Sequence, residues 1–517
     1  MRLIDFFDRG LMLNPNGPCL IESERVISYA EAADISHRVA RAASASGMES
    51  GTKAAVYSPN QARVMECILG ILRAGIIWLP INARNALEEN IYVLNMLECD
   101  WLFYHSAFEA QVAEIKARTP SLKKLICLDR ESAMAASFEN WISGQSGAAP
   151  SIQTDAEAAA TILCSGGTTG RPKGVVMTHR SWELMICNYA TSMPFAEVPR
   201  QLVAAPLSHG AGAMCFPVFA GGGANVIMTA PDPLSIMEHI EKFRITRLYL
   251  PPTLIYMMLA HPRVRDFDYS SLKYFLSAAA PISIEKLKEA IAVFGPVMCQ
   301  SFGQAESHIF VTYLSPEEHS KAICQGKERR LWSCGRPTLT NQIEIMDDDG
   351  RLLRPGERGE IVIRSNMLMK EYYLNPEATR EAGAHGWHHT GDIGEKDEDG
   401  YIYIVDRKKD MIISGGFNVY PSEVEQVIME MSGVRDCAVV GVPDEKWGEA
   451  VKAVAELRSG AQLSGEDVIE YCRARLGGVK TPKSVEFWDA LPRSPVGKVL
   501  KKEIRRKFWE GQSRQVA

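Results

Sequence analysis

The sequence predicts an α/β protein: a large N-terminal domain of layered βα subdomains plus an antiparallel subdomain, followed by a small α+β C-terminal domain. Three observations carry this. Helical and strand patterns alternate through the first half, as βαβ units around a mainly parallel sheet require. Beyond residue 340 the pattern changes to short alternating strands separated by Asp-Gly turns. And 517 residues are too many for one core, since domains usually hold roughly 50–250 residues.

Taken in order, Ser28-Tyr-Ala-Glu31 spells a capping box and predicts a helix to about Ser46, stopped by Gly47. Lys53–Tyr57 reads as a buried strand, Arg63–Arg73 as a helix and Gly75–Pro80 as the next strand. Ala159–Cys164 is strand-like, Ser165–Gly174 is a Gly/Thr loop, and Thr178 caps a helix to about Tyr189. Arg247–Leu250 and Tyr274–Ser277 are further strands. Gln342–Met346, Gly359–Arg364 and Tyr401–Val405 form the antiparallel part, with turns at Asp349-Gly350 and Asp399-Gly400. The polar run Asp406–Asp410 marks a boundary and divides the chain into residues 1–407 and 408–517. Past it come a helix Pro421–Met429, strands Cys437–Val442 and Val451–Glu456, a helix from Ser464 to Leu476, a strand Val485–Trp488 and a basic helix Val499–Phe508.

Composition is that of a globular protein, 46% hydrophobic and 23% charged, and the net charge of -6 excludes a general nucleic-acid binder. The twelve cysteines show neither a C-x-x-C pair nor zinc-ligand spacing, so they read as small buried hydrophobes in a reducing cytoplasm. The acidic N-terminal stretch lacks the apolar core of a signal peptide. Ile68–Ile81 is broken by Arg73 and Gly210–Met228 contains Pro217, so no membrane span is expected. A cytoplasmic location follows, and a homodimer is compatible with the sequence.

The strongest local signal is Ser165-Gly-Gly-Thr-Thr-Gly-Arg-Pro-Lys-Gly174. Gly166, Gly167 and Gly170 leave the backbone open, so successive N–H groups can form an anion-binding nest. Ser165, Thr168 and Thr169 add hydroxyls, and Lys173 adds a positive charge. The set suits a polyphosphate. It is not a Walker A loop, because Gly170 is followed by Arg-Pro-Lys-Gly rather than Lys-Ser/Thr.

This loop closely resembles the phosphate loop of the adenylate-forming superfamily, which contains the acyl-CoA synthetases, the adenylation domains of peptide synthetases and firefly luciferase. Gly166 stands where Ser is common, a variant of fatty-acid and related CoA ligases. Four further segments match in family order. Ser301-Phe-Gly-Gln-Ala-Glu306 resembles the Tyr-Gly-x-Thr-Glu segment. A carboxylate beside phosphates is unfavourable unless a cation intervenes, which makes Glu306, with Thr168, the candidate Mg²⁺ site. Ala305 stands where the family usually has Thr, so that hydroxyl contact must come from elsewhere, Thr168 and Gln304 being candidates. Trp387-His-His-Thr-Gly-Asp392 resembles the ribose segment, whose carboxylate, here Asp392, accepts from a vicinal diol. The segment Tyr403–Pro421 resembles the interdomain stretch: Arg407 would touch the ribose, Lys409 falls at the hinge, and Gly415 and Gly416 would line the pantetheine channel. Pro492-Arg-Ser-Pro-Val-Gly-Lys498 resembles the C-terminal lysine motif.

The resemblance implies an AMP-forming acid–CoA ligase using ATP, Mg²⁺ and coenzyme A. A carboxylate attacks the α-phosphorus of ATP with Lys498 bridging the two, pyrophosphate leaves, and the CoA thiol then displaces AMP. Residues 1–407 would be the adenylation domain, and 408–517 a mobile domain rotating about Lys409. Pro206-Leu-Ser-His209 resembles the segment whose His gates the thiol tunnel. The acyl pocket falls at His209–Ala213, Ser277–Ala280 (with Ala279 and Ala280) and Ser301–Gly303; Phe302 is placed to cover the adenine. These residues are mostly small and uncharged, which favours a fatty, aryl or cyclic monoacid over a diacid or an amino acid. The rival readings are a ligase that loads a carrier protein, a luciferase-like monooxygenase and a non-enzymatic nucleotide-binding protein.

Overall fold

The computed structural model describes residues 1–153, 155–165, 172–493 and 499–510. The chain folds as two compact units: one built from the chain up to Gln342 together with Arg364–Gly383, the other from Ile343–Ile363 and the chain from Ala384 onward.

In the first unit, the local signals produce the expected elements. Ser28 and Glu31 complete their capping box at the start of the helix Tyr29–Ala45, and the Thr178 hydroxyl accepts from Ser181 N–H at the start of His179–Ser192. Among the described residues the strands form two large sheets. One runs Met298–Gln300, Tyr274–Ser277, Arg247–Leu250, Arg200–Val203, Ala224–Ile227, Pro18–Glu22 and Arg25–Ser28, parallel except for the last pair. Its core packs Leu202, Leu248, Phe275 and Met298 against Ile236, Ile240 and Leu287, all buried. Each fully buried large apolar side chain contributes on the order of 1.5–3 kcal/mol.

The other sheet is parallel from Ile77–Pro80 outward through Lys53–Tyr57, Trp101–Tyr104 and Lys124–Cys127. Here the structure adds a strand. Gly174–Thr178, read as the loop's end and a cap, pairs antiparallel with Ala159–Cys164. The connection is too short for a crossover, and a short connection between neighbouring strands makes them antiparallel. The two-residue strand Glu371–Tyr372 then pairs with Gly174–Thr178, so the rim beside the phosphate loop is antiparallel.

The second unit contains two sheets. The antiparallel one runs Gln342–Met346, Arg358–Arg364, His388–Lys396 and Ile402–Arg407. The long strand His388–Lys396 has little alternating pattern and is held by partners on both sides. The second sheet pairs Val434–Asp444 with Gly448–Leu457 and carries the helices Pro421–Met429 and Gly465–Lys480 over a core of Val439, Val451 and Val468. Ser464 and Asp467 form a capping box at the start of the latter helix, whose geometry breaks at Gly477 (φ 73°), one residue past the expected end. Val499 bridges Arg493 instead of starting the last helix, which spans Lys501–Trp509.

Candidate active site

The parallel strands of the first sheet place their carboxyl ends together, and ligands in such sheets bind outside those ends. Ser277, Gln300 and Leu250 end three neighbouring strands. The chain leaves Ser277 through Ala278 to the exposed Ala279 and Ala280, and Ala279 is held at φ 73°. A non-glycine residue there is strained by about 1–3 kcal/mol, a cost that clusters at functional sites. Ser277 Oγ is buried without a hydrogen-bond partner among the described residues.

The Ser301–Glu306 segment follows the edge strand. Ser301 Oγ donates to Thr312 O (2.9 Å) and accepts from Phe310 N–H (3.1 Å), so this hydroxyl braces the loop. Phe302 is buried. Gly303 is required by space: a Cβ there would sit 1.9 Å from His308 O. Gln304 bridges His308, and Ala305 is half-buried. Glu306 is 8% exposed, and its Oε1 accepts the Tyr372 hydroxyl at 2.8 Å.

At the phosphate loop the two described ends face each other. Ser165 N–H donates to Lys173 O (2.9 Å), and Ser165 Oγ accepts from Lys173 N–H (3.0 Å). The Lys173 ammonium lies 4.6 Å from the centre of the Tyr372 ring. Gly166, Gly167, Thr168, Thr169 and Gly170 lie outside the described residues, as does Lys498.

His209 hydrogen-bonds Ser208 Oγ through Nδ1 at 3.0 Å. Its ring is exposed yet surrounded by protein mass, as at the wall of a cleft, and that burial lowers its pKa. The adjoining cavity, about 60 Å³, is lined by Ser58, Asn82 and Ser208. Met214, Cys215 and Phe216 are fully buried, so they belong to the core.

In the second unit Asp392 is buried and its Oδ1 lies 2.6 Å from Arg407 Nε, on the strand directly opposite. Lys409 sits exposed in the turn that follows. Gly415 and Gly416, at φ 58° and 84°, form the tip of the hairpin Ile412–Ser414/Phe417–Val419. Positive φ at both central residues is what a type I′ hairpin turn requires, and it accounts for the two glycines.

Comparison with known proteins decides the family. The AMP-binding enzyme model matches residues 7–373, and the AMP-binding enzyme C-terminal domain model matches residues 423–498. The chain belongs to the AMP-binding enzymes. A feruloyl-CoA synthase from Amycolatopsis sp is 34% identical over 505 residues, covering 97% of this chain and 98% of its own. A medium/long-chain-fatty-acid–CoA ligase from Mycobacterium tuberculosis is 35% identical over 528 residues, covering 98% and 90%. An amide bond synthetase from Marinactinospora thermotolerans superposes with a TM-score of 0.89 at 28% identity, covering 98% of this chain and 100% of that one.

Three residues of this AMP-binding enzyme stand beside the motifs without a motif of their own. Glu360, from the strand Arg358–Arg364, accepts from Gly391 N–H (2.9 Å), Lys408 Nζ (3.1 Å) and His389 Nδ1 (3.1 Å). Burial alone would raise its carboxyl, but these bonds outweigh that and hold it low. Glu360 thereby fixes the turn before Asp392. Trp447 accepts the Gly415 N–H through its carbonyl (2.8 Å), and its ring fills the space a Gly415 Cβ would need. Tyr372 touches both Glu306 and Lys173. The one local signal was a large aromatic in the turn Asp444-Glu-Lys-Trp447; the other two are made by strand pairing.

Among the described residues no helix is long and apolar enough to cross a membrane, and no three His, Cys, Asp or Glu residues gather as a metal site. All twelve cysteines are free.

Proposed function

We infer that this chain is an AMP-forming acid–CoA ligase, activating a carboxylic acid with ATP and passing the acyl group to CoA. The observation that carries this is end-to-end similarity, at 34–35% identity, to two acid–CoA ligases. Their acids, an aryl and a fatty one, agree with the small uncharged residues assigned to the acyl pocket, so the substrate class proposed is a fatty, aryl or cyclic monoacid. Free thiols throughout fit work in the reducing cytoplasm.

The roles proposed follow from chemistry. The acid's oxygen attacks the α-phosphorus of ATP and pyrophosphate leaves; the enzyme needs no nucleophile, only position and charge. Lys173 and the loop Ser165–Gly170 hold the polyphosphate. Asp392 and Arg407 take the ribose, and the segments Ala279–Ala280 and Ser301–Gln304 frame the adenine and acyl groups. Lys498 neutralises charge between carboxylate and α-phosphate. The residues fit Mg²⁺ in that Glu306 is a buried carboxylate with one oxygen engaged by a neutral phenol and no ion pair among the described residues. Glu306, with Thr168, would hold the ion, which would neutralise phosphate charge.

In the second step the CoA thiol attacks the acyl carbonyl and AMP leaves. Residues 408–517 are proposed to turn about Lys409 between steps, bringing the Gly415-Gly416 tip to the pantetheine while His209 gates the thiol path. The second reading, amide formation, rests on the amide bond synthetase likeness.

The test is purified protein with Mg²⁺-ATP and a panel of fatty, phenylpropanoid and alicyclic acids, following pyrophosphate and AMP with and without CoA. Acid-dependent pyrophosphate with CoA-dependent AMP turnover is expected. Turnover raised by an amine or a carrier protein but not by CoA would replace the acceptor, and no pyrophosphate with any acid would sink the reading.

A further inference from the structure

The rim of the phosphate loop contains an arrangement that the motifs do not account for. Tyr372 is 8% exposed, and its hydroxyl donates to Glu306 Oε1 at 2.8 Å. The face of the same ring carries the Lys173 ammonium at 4.6 Å from its centre. Glu306 and Lys173 thus share one aromatic ring and, among the described residues, form no ion pair with each other or with any other group. Among the described residues neither charge meets an opposite one, although an isolated buried carboxylate is costly.

The position of the ring is built in. Tyr372 lies opposite Val175 in the strand leaving the phosphate loop, and Tyr373 N–H donates to Gly174 O at 2.7 Å. Met369 N–H donates to Glu306 O at 2.7 Å, which ties the other end of the same segment to the Glu306 loop. Tyr372 N–H is held in turn by Thr379 Oγ1 at 2.9 Å. One short segment therefore spans from the lysine's strand to the acid's loop and inserts a tyrosine between their side chains.

We propose that Tyr372 is a positioning residue for adenylation: it aims the Glu306 carboxylate by a neutral hydrogen bond and keeps Lys173 on its ring face, so that acid and lysine do not collapse onto each other and both stay available to Mg²⁺-polyphosphate. A neutral donor suits this task where a cation does not. An arginine or lysine at this place would cancel the acid's charge, whereas a phenol orients it and leaves the second oxygen to a metal. The aromatic face meanwhile holds an ammonium without neutralising it.

The proposal rests on Glu306 being the Mg²⁺ ligand, and the experiment separates the two. ATP binding to the full-length protein is measured by calorimetry with and without Mg²⁺, no acid being present, for wild type, Y372F, Y372L, E306Q and E306Q/Y372F, with thermal melting to confirm folding. Y372F should weaken Mg²⁺-dependent ATP binding about tenfold, as expected for losing one hydrogen bond to a charged group, and leave Mg²⁺-free binding within about twofold. Y372L, lacking both hydroxyl and ring face, should weaken both. In the E306Q background, Y372F should cost nothing further in Mg²⁺ dependence, because the hydroxyl acts through that carboxylate. Wild-type Mg²⁺ dependence in Y372F, or an equal loss with and without Glu306, would overturn the positioning role. Wild-type Mg²⁺ dependence in E306Q would remove the Glu306 reading and the proposal with it. Should Y372F melt early, the Y372L comparison on the remaining folded protein decides: unchanged Mg²⁺-free binding there overturns the ring's part.

Discussion

Arg407 and Asp392 face each other across adjacent strands, with the guanidinium Nε 2.6 Å from the carboxylate Oδ1. Asp392 is buried while the Arg407 side chain is 42% exposed, so the pair sits with its acid fixed and its base free to adjust. The carboxylate is further steadied through Thr390 Oγ1, which accepts Asp392 N–H at 3.1 Å.

If Asp392 receives the ribose hydroxyls, D392N should raise the KM for ATP about 10–100-fold, since hydrogen bonds to a charged group contribute about 1.5–3 kcal/mol. The KM for the acid should stay within about threefold. Steady-state pyrophosphate release at varied ATP reads this directly, and an unchanged KM for ATP would sink the assignment.

If Lys498 serves only the adenylation step, its loss should separate the two half-reactions. K498A should slow acid-dependent pyrophosphate release by about 10²–10³-fold, the usual worth of one placed cation at a developing charge. The same variant given a synthetic acyl-adenylate should still form thioester with CoA at near wild-type rate. Equal loss in both steps would mean that Lys498 supports the fold or both reactions.

Gly415 carries a steric and a conformational requirement at once. A Cβ there would lie 2.6 Å from the Trp447 ring, and φ is 58°. G415A should lower stability by about 1–2 kcal/mol from the left-handed backbone alone and should displace Trp447 as well. G416A, whose Cβ meets nothing within 4 Å, carries only the backbone strain. The expected readout is a CoA-dependent AMP release reduced at least tenfold in G415A, with the first half-reaction kept and G416A affected less. Equal effects of both variants would discard the Trp447 contact as the cause.

Four buried histidines set an acid limit on stability. Burial lowers His308 to about 3 and His179, His319 and His388 to about 4. His319 shows why: Nε2 lies 3.0 Å from the Gln300 amide nitrogen and Nδ1 lies 2.9 Å from Ser315 O, a set met by the neutral ring with its proton on Nδ1. An unfolded histidine titrates near ~6.5, so below that the unfolded chain binds protons that the folded chain refuses. Stability is therefore full above about pH 6.5 and falls as pH drops toward the folded values, by up to ~1.4 kcal/mol per pH unit for each histidine. Melting temperatures at about pH 7.5 and about pH 5 should differ accordingly, the lower pH giving the lower value. Equal melting at both would contradict neutral burial.

The helix caps at Ser28, Thr178 and Ser464 and the Asp-Gly turns were readable because each is written in consecutive residues whose backbone chemistry is local. The alternation of strand and helix was readable for the same reason. The strand His388–Lys396 was not, since its glycines and histidines carry no alternation; it exists because Arg358–Arg364 and Ile402–Arg407 pair with its two edges. Gly174–Thr178 was likewise hidden at the end of a loop signal.

The sequence by itself determined the fold class, the order of the segments and the chemical character of the site residues, because residue type and near-neighbour spacing are properties of the chain. Tertiary structure alone decided which of those residues touch. Tyr372 meets Glu306 and Lys173, Glu360 meets Gly391 and Lys408, and Trp447 backs Gly415 only because sheet register brings distant residues within hydrogen-bond and van der Waals range. Such contacts depend on the register of strand pairing, which a one-residue slip would undo, and no local pattern encodes it.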